Sequence, residues 1–160
     1  MSPWVQVGRA HPEVAQLADR HYTRRPSSRG NAQFAPPGRV VILLARSLFG
    51  SAAWVSRASR HDKHAWPGAW TCTLFRNESR CWLSSDLVRA AVAATEARWG
   101  RPPVGWLTFV QPQRVQSRNP GFCFLKAGWR RLGMTAGGHG RPRLLVLGLG
   151  DQLREVSHAG

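Results

Sequence analysis

The sequence is short of acids. Eight Asp and Glu stand against 23 Lys and Arg in 160 residues, a formal net charge of +15. That excludes a charge-balanced surface and leads us to expect a polyanionic partner. Nucleic acid fits best, because basic clefts are the usual footprint of phosphate binding. An acidic membrane surface fits less well, since the sequence shows no basic amphipathic helix or lipidation signal. Lysine is nearly missing as well: Lys63 and Lys126 are the only two. A compositional preference for arginine accounts for the kind of cation used. It does not account for the missing acids.

Cysteine is sparse and badly spaced for a structural role. Cys72, Cys81 and Cys123 are odd in number and form no CxxC, which argues against a disulfide framework and a zinc ribbon. No signal peptide opens the chain and no apolar run approaches ~20 residues, so neither that export route nor a membrane span is expected. The expectation is a soluble protein of a reducing compartment, the cytoplasm. Tyrosine occurs once, as Tyr22. Glycine is missing at one telling place. NESRCWLSS, residues 77–85, joins a strand pattern to a helix pattern without one.

What is present is enough to fold. Apolar residues make up 42% of a length that suits one domain. WVQVGRA (4–10) alternates like a short strand. HPEVAQLADRHY (11–22) puts Pro12 in a first helical turn, groups Val14, Leu17 and Ala18 on one face, and ends at His21 and Tyr22. Residues 23–38 form a long basic loop rich in Pro, Ser and Gly. RVVILLAR (39–46) is an unbroken apolar run, which predicts a strand buried on both faces. SLFGSAAWVSR (47–57) hairpins onto it through Ser47 to Gly50. A second basic loop, 58–68, leads into AWTCTLFR (69–76), a β-branched and aromatic strand. SSDLVRAAVAATEARWG (84–100) is the clearest helix. Ser84 or Ser85 is expected to cap it and Gly100 to end it, with Leu87, Val88, Ala91, Val92 and Thr95 facing inward. VGWLTFVQP (104–112) reads as a strand stopped by Pro112. NPGFCFLKAGWRRLG (119–133) reads as a short helix and a turn, and RLLVLGLG (143–150) as a last strand. The order β-α-β-β-β-α-β-α-β predicts one α+β (α/β) domain over 1–150, a central mixed sheet flanked by helices, with a polar tail at 151–160.

That order, AWTCTLFR with the helix from Ser84, and SRNPGFCFLKAGWRRLG together resemble the GNAT superfamily of N-acyltransferases. In that family an asparagine begins a short helix and a K-x-G-F type turn leads into the last hairpin. Lys126, Ala127, Gly128 and Trp129 match the turn. The family's usual strand-to-helix junction has spaced glycines that let backbone N–H groups approach a cofactor pyrophosphate. Residues 77–85 depart from this, which puts acetyl-CoA binding in question and leaves the donor open. HYTRR (21–25), with Arg76, Glu78 and Leu83–Ser84, is similar to the Mom-like DNA-modification proteins of phages. That resemblance implies a bacterial host and modification, on double-stranded DNA, of the exocyclic amine of adenine with a carbamoylmethyl group that shields the DNA from restriction. It also leaves open a bound iron near His21 and Tyr22.

Transfer to an amine needs a group that positions or deprotonates the amine, and donors for developing charge. His21 and Tyr22 are the first candidates, since imidazole ordinarily titrates near neutral pH and a phenol can donate a proton. Their alternative is to cap and pack the end of the first helix. Glu78, between Arg76 and Arg80, either orients a base or makes a structural ion pair, while Arg76 meets phosphate or donor. Ser84, Ser85 and Asn119 are candidates for holding a cofactor, and each is also a candidate helix cap. Cys81 and Cys123 lack an activating neighbour and suit packing better. His61, Asp62 and His64 are a weak metal pattern on a loop. Arg24, Arg25, Arg29, Arg57, Arg60 and Lys63 form the expected DNA-contact set. Trp66 and Trp70 offer rings for stacking on a flipped base, against a rival role in the core. The leading expectation is a GNAT-fold, DNA-modifying transferase. The alternatives are a conventional acetyl-CoA-dependent N-acetyltransferase on a protein or small amine, and a non-catalytic DNA-binding domain of the same fold.

Overall fold

A computed structural model describes residues 2–24, 30, 34–35, 38–58, 64–115 and 118–155. Seven strands form one mixed sheet. They are β1 (Val5–Gln6), β2 (Val40–Ser47), β3 (Gly50–Ala58), β4 (Trp70–Asn77), β5 (Trp106–Val110), β6 (Arg130–Met134) and β7 (Leu145–Leu149). Their order across the sheet is β1-β2-β3-β4-β5-β7-β6. Every neighbouring pair is antiparallel except β4 and β5, which run parallel and are linked by the long helix α2 (Ser84–Trp99). Two shorter helices complete the single α+β domain: α1 (Pro12–Asp19) and α3 (Phe122–Lys126).

Burial follows the sequence pattern. β2 is apolar throughout and has Val41 to Ala45 buried on both faces. On one face, Leu87, Val88, Ala91 and Val92 of α2 pack with Phe124 of α3 onto Leu43, Trp54, Trp70 and Trp106. Burying each Leu or Val stabilises the fold by roughly 1.5–3 kcal/mol before entropy is counted. On the other face, Val14, Leu17 and Ala18 of α1 cover Ile42, Leu44, Ala53, Val55 and Leu74. Trp66 and Leu153 cover Leu107, Leu132 and Val146 further along that face. The two clusters leave a gap between them. Among the described residues, no helix is long and apolar enough to cross a membrane.

Several expectations change. The 119–133 segment holds a strand, β6, that composition hides: Arg130, Arg131 and Gly133 surround the single buried Leu132 at a bulged sheet edge. β1 keeps only two paired residues of 4–10, both exposed. The start of the expected tail joins the core, where Leu153 is buried and the Arg154 carbonyl accepts the Trp66 indole N–H. Trp66 and Trp70 are themselves buried, Trp70 against Trp106, so neither ring is available to stack on a base. Leu83, not a serine, is the N-cap residue of α2, and no side chain caps the helix.

Candidate functional site

Strands β4 and β5 pair at only three positions: Trp70 with Trp106, Thr71 with Leu107 and Cys72 with Thr108. Both strands continue, but apart. Two local features drive the parting. Thr73 is an extra residue in β4, because Val55 pairs with Leu74 while Ser56 pairs with Cys72, and a bulge of this kind turns a strand. Pro112 ends β5 in a 3-10 turn, Pro112–Arg114. The Thr108 hydroxyl donates to the Cys72 carbonyl (3.2 Å) at the apex.

His21 and Tyr22 sit in this opening, alongside Thr73, Phe75, Val110 and Phe124. The end of α1 delivers them: His21 N–H donates to the Ala18 carbonyl (3.0 Å), and the two rings stack with centroids 4.5 Å apart. The Thr23 N–H donates to His21 Nδ1 (3.3 Å), and the Thr23 hydroxyl lies 2.7 Å from the same atom. This network assigns the proton of the neutral ring to Nε2. Burial, then the nearby Arg76 charge, pushes the His21 pKa down to about 4, against a smaller opposing effect of the Phe75 backbone. The expectation of an imidazole titrating near neutrality therefore gives way to a ring that stays neutral at physiological pH. Tyr22 Oη accepts the Gln111 N–H (3.4 Å), and burial raises its pKa. The phenol keeps its own proton, ready to donate.

Arg76 and Glu78 hold this pair from behind. Glu78 takes a bidentate Arg20 guanidinium at 2.8 and 2.9 Å and also the Arg76 Nε. The arginine hydrogen bonds, Arg20 first, pull the Glu78 pKa down to about 2, outweighing the opposing effect of burial. Arg76 Nη1 donates to the Arg20 carbonyl (2.8 Å). The network thus ties the end of α1 to the end of β4. It leaves Glu78 a fully ionised carboxylate with little affinity for a proton.

The glycine-free junction is closed on itself. Asn77 Nδ2 donates to the Trp82 carbonyl and to Ser84 Oγ, both at 3.1 Å, and Asn77 Oδ1 accepts from Ser79 N–H and Oγ. Ser84 is therefore occupied within the turn, with Ser85 behind it in the first turn of α2. Asn119 lies before α3; its carbonyl accepts the Phe122 N–H (3.0 Å), and the helix has no side-chain cap. A pyrophosphate would find side chains here where a glycine turn would offer open backbone. Among the described residues, no three His, Cys, Asp or Glu side chains converge. His64 Nδ1 accepts the Trp66 N–H (3.0 Å). Burial raises the thiol pKa of Cys72, and that of Cys123 to about 11; Cys81 is exposed.

The opening faces a groove of about 500 Å³ on the α1 side of the sheet, in the gap between the two clusters. Tyr22, Thr23, Arg57, Thr71, Thr73, Phe109, Gln111 and Pro142 line it. Of the expected DNA-contact set, Arg57 lines this groove. Arg24 is turned onto Asp19 (3.1 Å) with a side chain only 10% exposed. Arg25, Arg29, Arg60 and Lys63 lie outside the described residues, as do His61 and Asp62. Sequence reasoning missed Asn77, Arg20, Thr23 and Gln111. It also missed the exposed Arg114, Arg141 and Arg143, which adjoin the groove residues Gln111 and Pro142 in the chain. The one available signal was Asn77 at the end of a strand, an Asx-turn residue. Comparison with models of known families, with curated proteins and with solved structures gave no match.

Proposed function

We propose that the chain is a nucleic-acid-directed transferase of the GNAT type, Mom-like in acting on the exocyclic amine of adenine in DNA. The observation that carries this reading is the parting of the parallel strands β4 and β5 around the stacked His21–Tyr22 pair, beside a groove of ligand size. Ligands in open sheets gather at the carboxyl ends of parallel strands. Binding clefts combine aromatic and apolar walls with a few convergent polar groups. Phe109 and Tyr22 supply the aromatic walls, and Thr71, Thr73, Gln111 and Arg57 the polar groups. A base turned out of a duplex needs both kinds of contact.

In the reaction, the amine nitrogen attacks the electrophilic carbon of an activated donor. The bond from that carbon to its leaving group breaks, and the amine nitrogen loses one proton to solvent. Tyr22 protonates the departing group, regains a proton from solvent, and is the catalytic residue. His21, Thr23, Arg20, Arg76 and Glu78 are positioning residues. The acetyl-CoA alternative is the weaker one, because Asn77 fills the turn that would take the pyrophosphate.

Nucleosides digested from DNA of cells expressing the protein, analysed by mass spectrometry, test this reading. A mass-shifted deoxyadenosine, missing from cells without the protein, is expected. Unmodified nucleosides together with tight acetyl-CoA binding by calorimetry would favour the conventional acetyltransferase. Unmodified nucleosides together with salt-dependent DNA binding would favour the non-catalytic domain.

A further inference from the structure

The hairpin joining β2 to β3 carries unusual residues for a turn exposed to water. Ser47 pairs with Gly50, and the two residues at the tip are Leu48 and Phe49. Two-residue hairpin loops favour Gly, Asn and Asp. Here Leu48 is 97% exposed and Phe49 64%. Scattered single apolar side chains on a surface need no explanation, but two in succession at a projecting tip do.

The tip is also held rigidly. The Ser47 hydroxyl donates to the Gly50 carbonyl (2.8 Å) and accepts the Phe49 N–H (3.1 Å). From the junction turn, Arg80 N–H donates to the Phe49 carbonyl (3.1 Å) and Glu78 N–H to the Ser51 carbonyl (2.9 Å). Gly50 adopts φ +110°, and a Cβ there would collide with the Glu78 carbonyl. The backbone of the tip is therefore tied to the junction turn, and both side chains stand exposed on it. The same turn presents Arg80, exposed and in no ion pair among the described residues, and Leu83, 70% exposed. Ala52 of β3 pairs with Asn77, so the tip stands at the carboxyl end of β4, the end toward which β4 and β5 part.

We infer that Leu48 and Phe49 form an apolar wedge that enters the base stack of duplex DNA and frees a base for the groove. This rests on the nucleic-acid reading above. Minor-groove and base-flipping proteins use such side chains to unstack a step, with cations nearby to hold phosphate. Charge selects the occupant. A polyanion complements Arg80 and a net charge of +15, whereas a second copy of the chain would bring the same surplus of positive charge against it.

The test uses the full chain and a duplex with 2-aminopurine at one position, whose fluorescence rises on unstacking. Wild type is expected to raise the signal several-fold at saturation. Leu48→Ser/Phe49→Ser is expected to bind with the same salt slope, up to about tenfold more weakly, and to leave the signal flat. Phe49→Trp is expected to retain the rise. A double variant that melts like wild type yet raises the signal equally overturns the wedge and leaves the nucleic-acid reading standing. Wild type that binds duplex with no rise does the same. Wild type that binds no duplex overturns both. A wild-type dimer that the double variant converts to monomer shows the tip to be a self-association surface and also overturns the wedge.

Discussion

His21 and Glu78 are both displaced from their ordinary titration ranges, and each leaves a distinct mark on stability. His21 binds its proton at about 4 in the fold, against 6.5 without it. The unfolded chain therefore takes up that proton first as pH falls, and stability drops between pH 6.5 and about 4. The slope contributed by one such group is at most about 1.4 kcal/mol per pH unit. Denaturant melts of His21→Gln should lack this segment of the pH profile. Glu78 shifts stability in the same direction, at lower pH. Its stabilisation is complete above pH 4.5 and disappears as pH falls toward about 2, where the paired carboxylate takes up its proton. Glu78→Gln should cost roughly 1 kcal/mol near neutrality, discounted because Arg20 is half exposed to solvent, and should flatten the profile below pH 4.5. Tyr22 differs from both in keeping its proton throughout the physiological range, which suits a donor.

At the scale of elements, one short turn does much of the positioning. Asn77 closes the 78–84 segment through its side-chain amide, and that segment starts α2 and clamps the β2–β3 hairpin. Asn77→Ala should lower stability by about 1–2 kcal/mol, or roughly 2–4 °C of melting temperature per kcal/mol at this size, as read by calorimetry. The helices and central strands were legible in the sequence because their apolar spacing is strong. α2 begins at the expected Ser84, and β2 is the doubly buried run it resembles. β6 was not legible, because an edge strand with one buried leucine has no period to read. The parting of β4 from β5 was partly hidden. Pro112 marked the end of β5, but the bulge at Thr73 that turns β4 away has no local residue signature. His21, Tyr22, Arg76 and Glu78 were picked out as residue types, but their linkage through Arg20 comes from the end of α1 meeting the end of β4.

For the whole molecule, charge is the dominant fact. Among the described residues six of the seven acids sit in ion pairs, so few acids are left to offset the surplus of cations. Duplex affinity should therefore fall steeply with salt, with log K against log salt giving a slope of about −0.9 per phosphate neutralised. Arg141→Ala and Arg114→Ala should each reduce that slope by about one unit, as read by fluorescence anisotropy. Arg24→Ala should leave the slope unchanged and lower stability, because its charge is spent on Asp19. The central claim is that Tyr22, in the opening between β4 and β5, drives transfer onto a base. Its most direct test is the modified fraction of deoxyadenosine in DNA from cells holding equal amounts of wild type or Tyr22→Phe. The account predicts a clear modified fraction with wild type and a loss of about 10²-fold or more with the variant. Equal modification by the two proteins would contradict it.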